Sequence, residues 1–237
     1  MTEKKEKLPA KSTHADVANF MSKVANTPTT IKTGESGRLI FSMDATASRK
    51  PTWDTACQIQ GKMFEETSSL GGLSIQLAYY RGYNEFFTGP WHSKSADLLR
   101  SMTEVTCLGG MTQIEKVLQH AIRETKTKKV NAVVFIGDAM EENVDRLCKY
   151  AGELGLLGTP VFVFQENADP VATMAFKQIA RVSNGAYCLF NAGSAQQLKD
   201  LLSAVAIYAA GGRKALENYS NKKGGITLKL TQQFHNK

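Results

Sequence analysis

The sequence has few of the residues from which most catalytic and metal centres are built. Its 237 residues include only four cysteines and four histidines. The cysteines lie at least 40 residues apart and form no Cys-x-x-Cys pair, which argues against zinc and predicts reduced thiols in a cytoplasmic protein. The histidines fall in the two tails, one loop and one helix of the predicted structure, so none of them is an obvious general base.

Sequence motifs of common enzyme classes are also missing. There is no phosphate-binding loop of the Gly-x-x-x-x-Gly-Lys type, no Gly-x-Gly-x-x-Gly after a strand, and no Gly-x-Ser-x-Gly turn that would expose a nucleophile. The chain lacks a run of about 18 apolar residues, and its first residues lack the apolar stretch of a signal peptide. We therefore predict a cytoplasmic protein that is not an enzyme and has no membrane segment.

The formal net charge of +7 is concentrated at the ends of the chain. Residues 1–37 contain six Lys and Arg against four Asp and Glu, residues 213–237 contain six against one, and residues 38–212 contain seventeen of each. A neutral body with basic ends is typical of a soluble protein with solvated termini, so nucleic acid is not the expected partner. We divide the chain into a basic N-terminal arm with one short helix (1–37), one domain (38–212) and a basic tail (213–237).

Strand and helix patterns alternate through the central domain. Strands are predicted at residues 39–44, 73–80, 83–88, 130–138, 161–165 and 187–190, and helices at about 52–68, 95–105, 113–125, 144–154, 171–182 and 195–210, the last ended by Gly211 and Gly212. This alternation predicts an α/β fold, with a doubly wound, mostly parallel, Rossmann-like sheet and helices on both faces. With right-handed crossovers the strand order becomes 3-2-1-4-5-6, and the third strand is an antiparallel edge.

The first predicted strand ends in a group of oxygen ligands. Asp44 ends the apolar run, and Thr46 and Ser48 follow at alternate positions. The strand at 130–138 ends in Asp138, and the first and fourth strands are neighbours in the predicted order. Both carboxylates therefore face the crevice at the carboxyl ends of the strands. Because all these ligands are oxygens, they suit a hard cation such as Mg²⁺ better than zinc or copper.

Three separated segments of the sequence resemble a von Willebrand factor A (VWA) domain with a metal-ion-dependent adhesion site (MIDAS). They are Asp44-x-Thr46-x-Ser48, with Thr46 in place of the usual serine, the Gly-Gly-Met-Thr segment that ends at Thr112, and the Phe-Ile-Gly-Asp segment that ends at Asp138. The resemblance covers about residues 38–210. It implies that the hydroxyls of Thr46 and Ser48 bind Mg²⁺ or Mn²⁺ directly and that Thr112 adds a third in one conformation. Asp44 and Asp138 then act mainly through bound waters.

The resemblance also implies a function. A cation held mainly by neutral hydroxyls keeps a water-occupied position that a carboxylate from a partner can take. We therefore expect a metal-dependent protein-binding module, an adaptor or scaffold, whose partner supplies an acidic residue. Two alternatives stay open: a metal-dependent hydrolase of phosphorylated substrates, and a nucleic-acid-associated protein that acts through its basic tails. In a purely structural interpretation, Asp44 and Thr112 serve only as caps and Ser48 serves only the loop.

Two groups of residues flank the predicted site, Glu141, Glu142 and Asp145 on one side and Arg49, Lys50 and Trp53 on the other. The acidic group either strengthens cation binding or, as we prefer, stabilises the N-terminus of the helix that follows it. The Arg49 group lies at the other lip, where it either contacts an acidic, partly apolar partner or consists of solvated charges and a packed aromatic. Beyond the last helix, residues 224–230 have the alternation of a short strand.

Overall fold

The predicted strands assemble into one sheet. In the computed structural model, which describes residues 36–190 and 195–223 together with Asn19, Ser22 and Lys23, the strands are β1 (Gly37–Asp44), β2 (Leu73–Arg81), β3 (Glu85–His92), β4 (Ala132–Gly137), β5 (Val161–Glu166) and β6 (Tyr187–Phe190). Their order is β3-β2-β1-β4-β5-β6, and among them only β3 is antiparallel to its neighbour. The predicted order and the antiparallel edge are confirmed. The short helix predicted at 16–26 lies mostly outside the described residues, and the segment 224–230 lies wholly outside them.

The edge strand β3 is longer than predicted. Gly89 and Pro90 follow the predicted end of the strand but lie inside it. Proline has no N–H to donate, and an edge strand tolerates it because one side of its backbone pairs with no other strand. The ladder between β2 and β3 shifts register between Gln76 and Ala78, opposite this segment. This register shift accommodates Pro90, so the strand continues past it.

Helices cover both faces of the sheet. They are α1 (Lys50–Ile59), α2 (Gly61–Thr67), α3 (Ser95–Thr103), α4 (Ile114–Thr127), α5 (Val144–Leu156), α6 (Pro170–Val182) and α7 (Ala195–Lys223). Successive residues of β1 join opposite cores, with Leu39, Phe41 and Met43 in one cluster and Ile40 in the other. All of β1 is buried, as expected of a central strand covered on both faces. The single helix predicted at 52–68 is observed as two, α1 and α2, which meet at Gln60.

The last helix, α7, does not end where the sequence predicts. Gly212 has a φ of 72° that interrupts the helix, as the glycine pair suggests, but helical turns resume and continue to Lys223. The resumed turns are anchored because Leu216 is buried in the same cluster as β1. Across α7, a Cβ at Gly37 would lie 2.2 Å from the carbonyl oxygen of Ala209, so this glycine permits close packing of the helix on β1. No helix in the described parts of the chain has the length and apolar character needed to cross a membrane.

Candidate metal centre

The turn after β1 gathers three oxygen-bearing side chains at one point. Asp44 is the buried last residue of the strand, and its Oδ1 accepts a hydrogen bond from the backbone N–H of Thr46 at 2.7 Å. The chain then enters a short 3₁₀ helix, Ala47–Arg49. This tight turn brings the Oγ1 of Thr46 and the Oγ of Ser48 within 3.5 Å of each other. The hydroxyls of Thr46 and Ser48, which alternate in the sequence, therefore lie next to each other in the structure, beside the carboxylate of Asp44.

Asp138 approaches from the neighbouring strand. Met43 and Ile136 are partners in the parallel ladder of β1 and β4, so the residues just beyond the two strands lie at the same edge of the sheet. Burial raises the pKa of Asp44 to about 6, and the negative charge of Asp138 acts in the same direction. The hydrogen bond from Thr46 opposes this rise. A buried carboxylate with a second negative charge beside it is stabilised in its ionised form by a nearby cation.

Thr112 is held by the segment that follows Asp138. Its N–H donates to Glu141 Oε2 at 3.0 Å, and its Oγ1 accepts from the N–H of Glu141 at 3.1 Å. Glu142 accepts from the N–H groups of Ile114 and Glu115, both at 2.8 Å. The loop before α4 and the first turn of α4 are thus joined by four hydrogen bonds to the loop after β4. Thr112 keeps its O–H for a further partner, because a hydroxyl both donates and accepts.

These contacts correct the preferred interpretation of the acidic group. Glu141 and Glu142 precede α5 and bond to the N-terminal end of a different helix, α4. The N-cap of α5 is Asn143, whose side chain accepts from the N–H of Arg146 at 3.0 Å. Asp145 alone of the three lies in the first turn of α5, as predicted. The misassignment arose because contacts between separate loops leave no local signal in the sequence.

Arg49 is buried at the site and does not lie on its lip. Its side chain is 5% exposed, and its Nη2 lies 3.0 Å from Asp138 Oδ2. Its Nη1 forms a second ion pair with Glu166, and its Nε donates to Ser48 Oγ at 3.3 Å. Both alternatives for Arg49, a partner contact at the rim and a solvated charge, are therefore wrong. The guanidinium joins the two strand ends and the hydroxyl pair from within the protein.

The other two members of this group have separate roles. Trp53 is buried, and its Nε1 donates to the carbonyl oxygen of Met102 at 2.9 Å, which makes it the packed aromatic of the alternative interpretation. Lys50 is exposed and pairs with Asp54 at 2.6 Å along α1. Lys50 is thus the only one of the three to remain a surface charge.

Glu166 is a residue of the site that the sequence interpretation missed. It is the last residue of β5 and is buried. It forms an ion pair with Arg49 and accepts a hydrogen bond from the hydroxyl of Thr52. The signal was available, since Glu166 follows an apolar run as Asp44 and Asp138 do. Three neighbouring strands therefore deliver carboxylates to one edge of the sheet, where α/β sheets bind ligands.

The oxygen atoms at this edge fit a hard divalent cation. Mg²⁺ bonds of 2.0–2.1 Å at right angles place adjacent ligand oxygens about 3.0 Å apart, and the hydroxyls of Thr46 and Ser48 need to close only slightly from 3.5 Å. Two residues before Asp44, on the same face of β1, the buried hydroxyl of Ser42 has no hydrogen-bond partner among the described residues, which is typical of a position that a water or ion satisfies. The described residues contain no group of three His, Cys, Asp or Glu side chains arranged for a metal, so a cation here depends on hydroxyls.

Solved structures share this fold. The structure of the SpRpn10 VWA domain superposes with a TM-score of 0.55 at 12% identity, over 70% of this chain and 94% of that one. Proximal thread matrix protein 1 of the mussel byssus, solved with a zinc-occupied MIDAS motif, gives 0.60 at 14% identity, over 76% of this chain and 48% of that one. The pilus adhesin SpaC of Lactobacillus rhamnosus GG gives 0.56 at 8% identity, over 81% and 31%. The chain contains a VWA-like domain.

The likeness to these proteins is one of fold. The VWA-like domain spans nearly all of the SpRpn10 domain, about half of the thread protein and about a third of the adhesin. No family model matches the sequence, and no curated protein matches it either. The thread protein shows that a domain of this fold can hold a divalent metal at a MIDAS, and the adhesin shows the fold in a protein named for adhesion.

Proposed function

We propose that the VWA-like domain is a cytoplasmic, divalent-metal-dependent protein-binding module, an adaptor or scaffold, whose partner supplies an acidic side chain. The observation that carries the proposal is the adjacent hydroxyl pair of Thr46 and Ser48 beside Asp44. In this proposal the hydroxyls of Thr46 and Ser48 hold Mg²⁺ or Mn²⁺ directly and Thr112 adds a third in one conformation. Asp44 and Asp138 act mainly through bound waters. The metal supplies an electrophilic position for a carboxylate oxygen.

The ligand chemistry explains why the partner is acidic. Hydroxyls are neutral, so they leave most of the charge of a bound cation uncompensated. A carboxylate that replaces a water then gains a charge-assisted contact, which is stronger than a contact between neutral groups. Asp44 is buried and accepts from Thr46, a geometry that fixes the turn and keeps the hydroxyls directed to the same point. The protein thus orients the neutral ligands and leaves the anionic one to the partner.

Exposed apolar side chains beside the site support a protein partner. Tyr83, Leu108 and Met111 are 81%, 41% and 51% exposed. The backbone N–H of Leu108 donates to the carbonyl oxygen of Ala45 at 3.0 Å, and that of Met111 donates to Gly82 at 3.0 Å. These bonds join the loop before α4 to the Asp44 turn and to the β2–β3 hairpin. Apolar residues next to a polar anchor are typical of protein interfaces.

Two further observations bear on the setting and on the hydrolase alternative. All four cysteines are present as thiols, which supports the proposed reducing compartment. A hydrolase needs a general base at the cation, but His120 is buried on α4 and bonds to Gln76, and His92 lies on the edge strand β3. Neither imidazole is placed to activate a water at Asp44. The described imidazoles therefore give the hydrolase alternative no support, and the neutral hydroxyl pair favours the binding module.

The test is a capture experiment with a matched variant. Wild type and the double variant T46A/S48A are immobilised, and cell extract is applied in Mg²⁺ or in a chelator. We expect one set of proteins to be retained by wild type in Mg²⁺ and lost both in chelator and from T46A/S48A. Addition of millimolar acetate as a competing carboxylate should reduce retention only in Mg²⁺. Retention that is equal with and without chelator would refute the metal-dependent function.

A further inference from the structure

We propose that Arg49 is an internal cation that competes with the divalent metal for Asp138 and so sets the metal affinity of the site, with Glu166 limiting that competition. The proposal rests on the metal site proposed above and concerns residues of this chain outside the hydroxyl pair. It assigns Arg49 and Glu166 as regulators of affinity. Neither residue needs to touch the metal.

The geometry places the guanidinium on a carboxylate that the metal also needs. Arg49 Nη2 lies 3.0 Å from Asp138 Oδ2 in a pair whose two side chains are 5% and 19% exposed. A guanidinium is a permanent cation that binds carboxylates through directed N–H groups. In a partly buried site its charge is weakly screened, so it repels a second cation that approaches the same carboxylate.

Arg49 also reaches the hydroxyl pair. Its Nε donates to Ser48 Oγ at 3.3 Å, so one guanidinium engages both a proposed metal ligand and the proposed water-mediated ligand Asp138. Coupling between two species that bind the same groups is reciprocal. A bound metal therefore weakens the contacts of Arg49 with these oxygens by the same factor by which Arg49 lowers the affinity of the site for the metal.

The charge balance of the site explains how Glu166 limits the competition between Arg49 and the metal. Asp138 and Glu166 pair with a single guanidinium, and Asp44 lies buried beside the same turn, so these four side chains carry two uncompensated negative charges when all are ionised. Glu166, at the end of β5, forms an ion pair with Nη1 of Arg49 and accepts a hydrogen bond from the hydroxyl of Thr52. Without Glu166 the guanidinium has Asp138 as its one carboxylate partner, and only one uncompensated negative charge is left for the metal.

The experiment compares Mg²⁺ and Mn²⁺ dissociation constants, measured by titration calorimetry on the full chain, for wild type and four variants. Arg49→Gln should bind the metals about tenfold more tightly or better, the size of effect that one charge at 4–6 Å exerts on an ionisation equilibrium. Glu166→Gln should bind them more weakly. Lys50→Gln removes an exposed neighbouring charge that pairs with Asp54 and should stay within about twofold of wild type, because exposed charges are screened.

The double variant R49Q/E166Q separates direct competition from net charge. It has the same net charge as wild type but frees Asp138, so direct competition predicts tighter binding than wild type. If R49Q/E166Q binds the metals with the affinity of wild type, net charge alone explains the effects of the single substitutions, and the proposal is overturned. The double variant also limits misfolding of R49Q, since it removes the buried Glu166 carboxylate that R49Q alone leaves without its cation.

The outcomes distinguish this proposal from the proposed function. If wild type binds metal and R49Q binds it equally or more weakly, the competition is refuted while the metal-dependent function stands. If wild type binds no metal at millimolar concentration but R49Q does, the competition is supported and the metal-dependent function of the natural protein fails. If neither wild type nor any of the Arg49 variants binds metal, both are refuted.

Discussion

Each end of the central strand β1 has a buried arginine, and the two differ in how fully they are paired. At the amino end, the guanidinium of Arg38 bonds to Glu124 at 3.0 Å and to the carbonyl oxygen of Lys128, and lies 3.8 Å over the ring of Trp91. The indole N–H of Trp91 donates to the same carboxylate of Glu124 at 3.0 Å. One cation therefore meets one anion, and both are further hydrogen-bonded.

At the carboxyl end, Arg49 faces an excess of anions. Asp138 and Glu166 both pair with it, Asp44 lies buried next to the same turn, and the hydroxyl of Ser42 is buried without a partner among the described residues. A balanced buried pair with satisfied neighbours is typical of structural support, whereas unbalanced charge and unpaired polar groups are typical of ligand sites. The contrast supports the proposed ligand site at the carboxyl end of β1, which we call the functional end; we call the amino end of β1 the structural end.

The largest expected effect tests the structural end. Arg38→Ala leaves Glu124 without its cation and removes the contact with Trp91, so we expect a loss of about 3 kcal/mol in the free energy of unfolding. For a chain of this size that is a fall of about 6 to 12 °C in melting temperature. The exposed pair of Lys126 and Glu153 provides the control, because Lys126→Ala should cost less than about 1 kcal/mol. Metal affinity should not change in either variant; a weaker metal site in R38A would break the division between the two ends.

The next effect tests the functional end. If the site binds metal, Mg²⁺ at about 100 times its dissociation constant stabilises the fold by roughly 2.7 kcal/mol, which corresponds to a rise of about 5 to 10 °C in melting temperature. Asp44→Ala should abolish the rise, whereas R38A should show it in full from a lower starting temperature. Differential scanning fluorimetry with and without metal measures both. A wild-type melting temperature that is unchanged in millimolar Mg²⁺ and Mn²⁺ would contradict the assignment of the site.

A smaller effect tests the connection between loops at the functional end. Glu142 accepts from two N–H groups at the start of α4, where a carboxylate also interacts favourably with the helix dipole. Glu142→Gln keeps an acceptor but removes the charge, so we expect a loss of about 1 kcal/mol in stability. Substitution of the exposed Glu104, at the C-terminal end of α3, should not destabilise. Equal effects of the two substitutions in chemical denaturation would show that the charge of Glu142 is not used as a cap.

The sequence predicts the frame of the site because its signals are local. An apolar run followed by aspartate identifies both β1 and β4, and the rule that parallel strands share one carboxyl edge brings Asp44 and Asp138 together without further information. Arg49 could not be placed in this way. It stands beside Lys50 and Pro51 in a segment whose composition is typical of an exposed turn, and its burial depends on Glu166, which is distant in sequence and close only in the fold.

The same reasoning applies to the end of α7. The two glycines predict the end of the helix, and Gly212 does adopt a positive φ, but helical turns continue beyond it. Whether the chain resumes a helix after such a break depends on tertiary packing more than on intrinsic propensity. Here the burial of Leu216 decides it. Local residues thus predict where the backbone changes direction, while the partners of buried charges and of isolated apolar residues come from contacts distant in sequence.

The effect that should be smallest at neutral pH is a pH dependence from His120, which lies near the structural end. Its ring nitrogen Nε2 lies 2.8 Å from Gln76 Oε1, and the ring meets Phe86 edge to face. Burial lowers the pKa of His120 below its ordinary value of 6.5; the nearby Glu124 raises it and Arg123 lowers it further, both to a lesser extent. The unfolded chain therefore takes up a proton near pH 6.5 that the folded protein binds only at lower pH.

Since the unfolded state then binds more protons, stability should be unaffected by this group above its ordinary pKa and should fall as the pH drops below it, by at most about 1.4 kcal/mol per pH unit. Asp44, with its raised pKa, contributes the opposite slope at acidic pH, so the informative quantity is the difference between two curves. Subtracting the stability of His120→Gln from that of wild type between pH 5 and 8 should give a difference that is flat above about pH 7 and declines below it. A flat difference over the whole range would mean that His120 is protonated equally in the folded and unfolded states, and that burial does not lower the pKa of its imidazole.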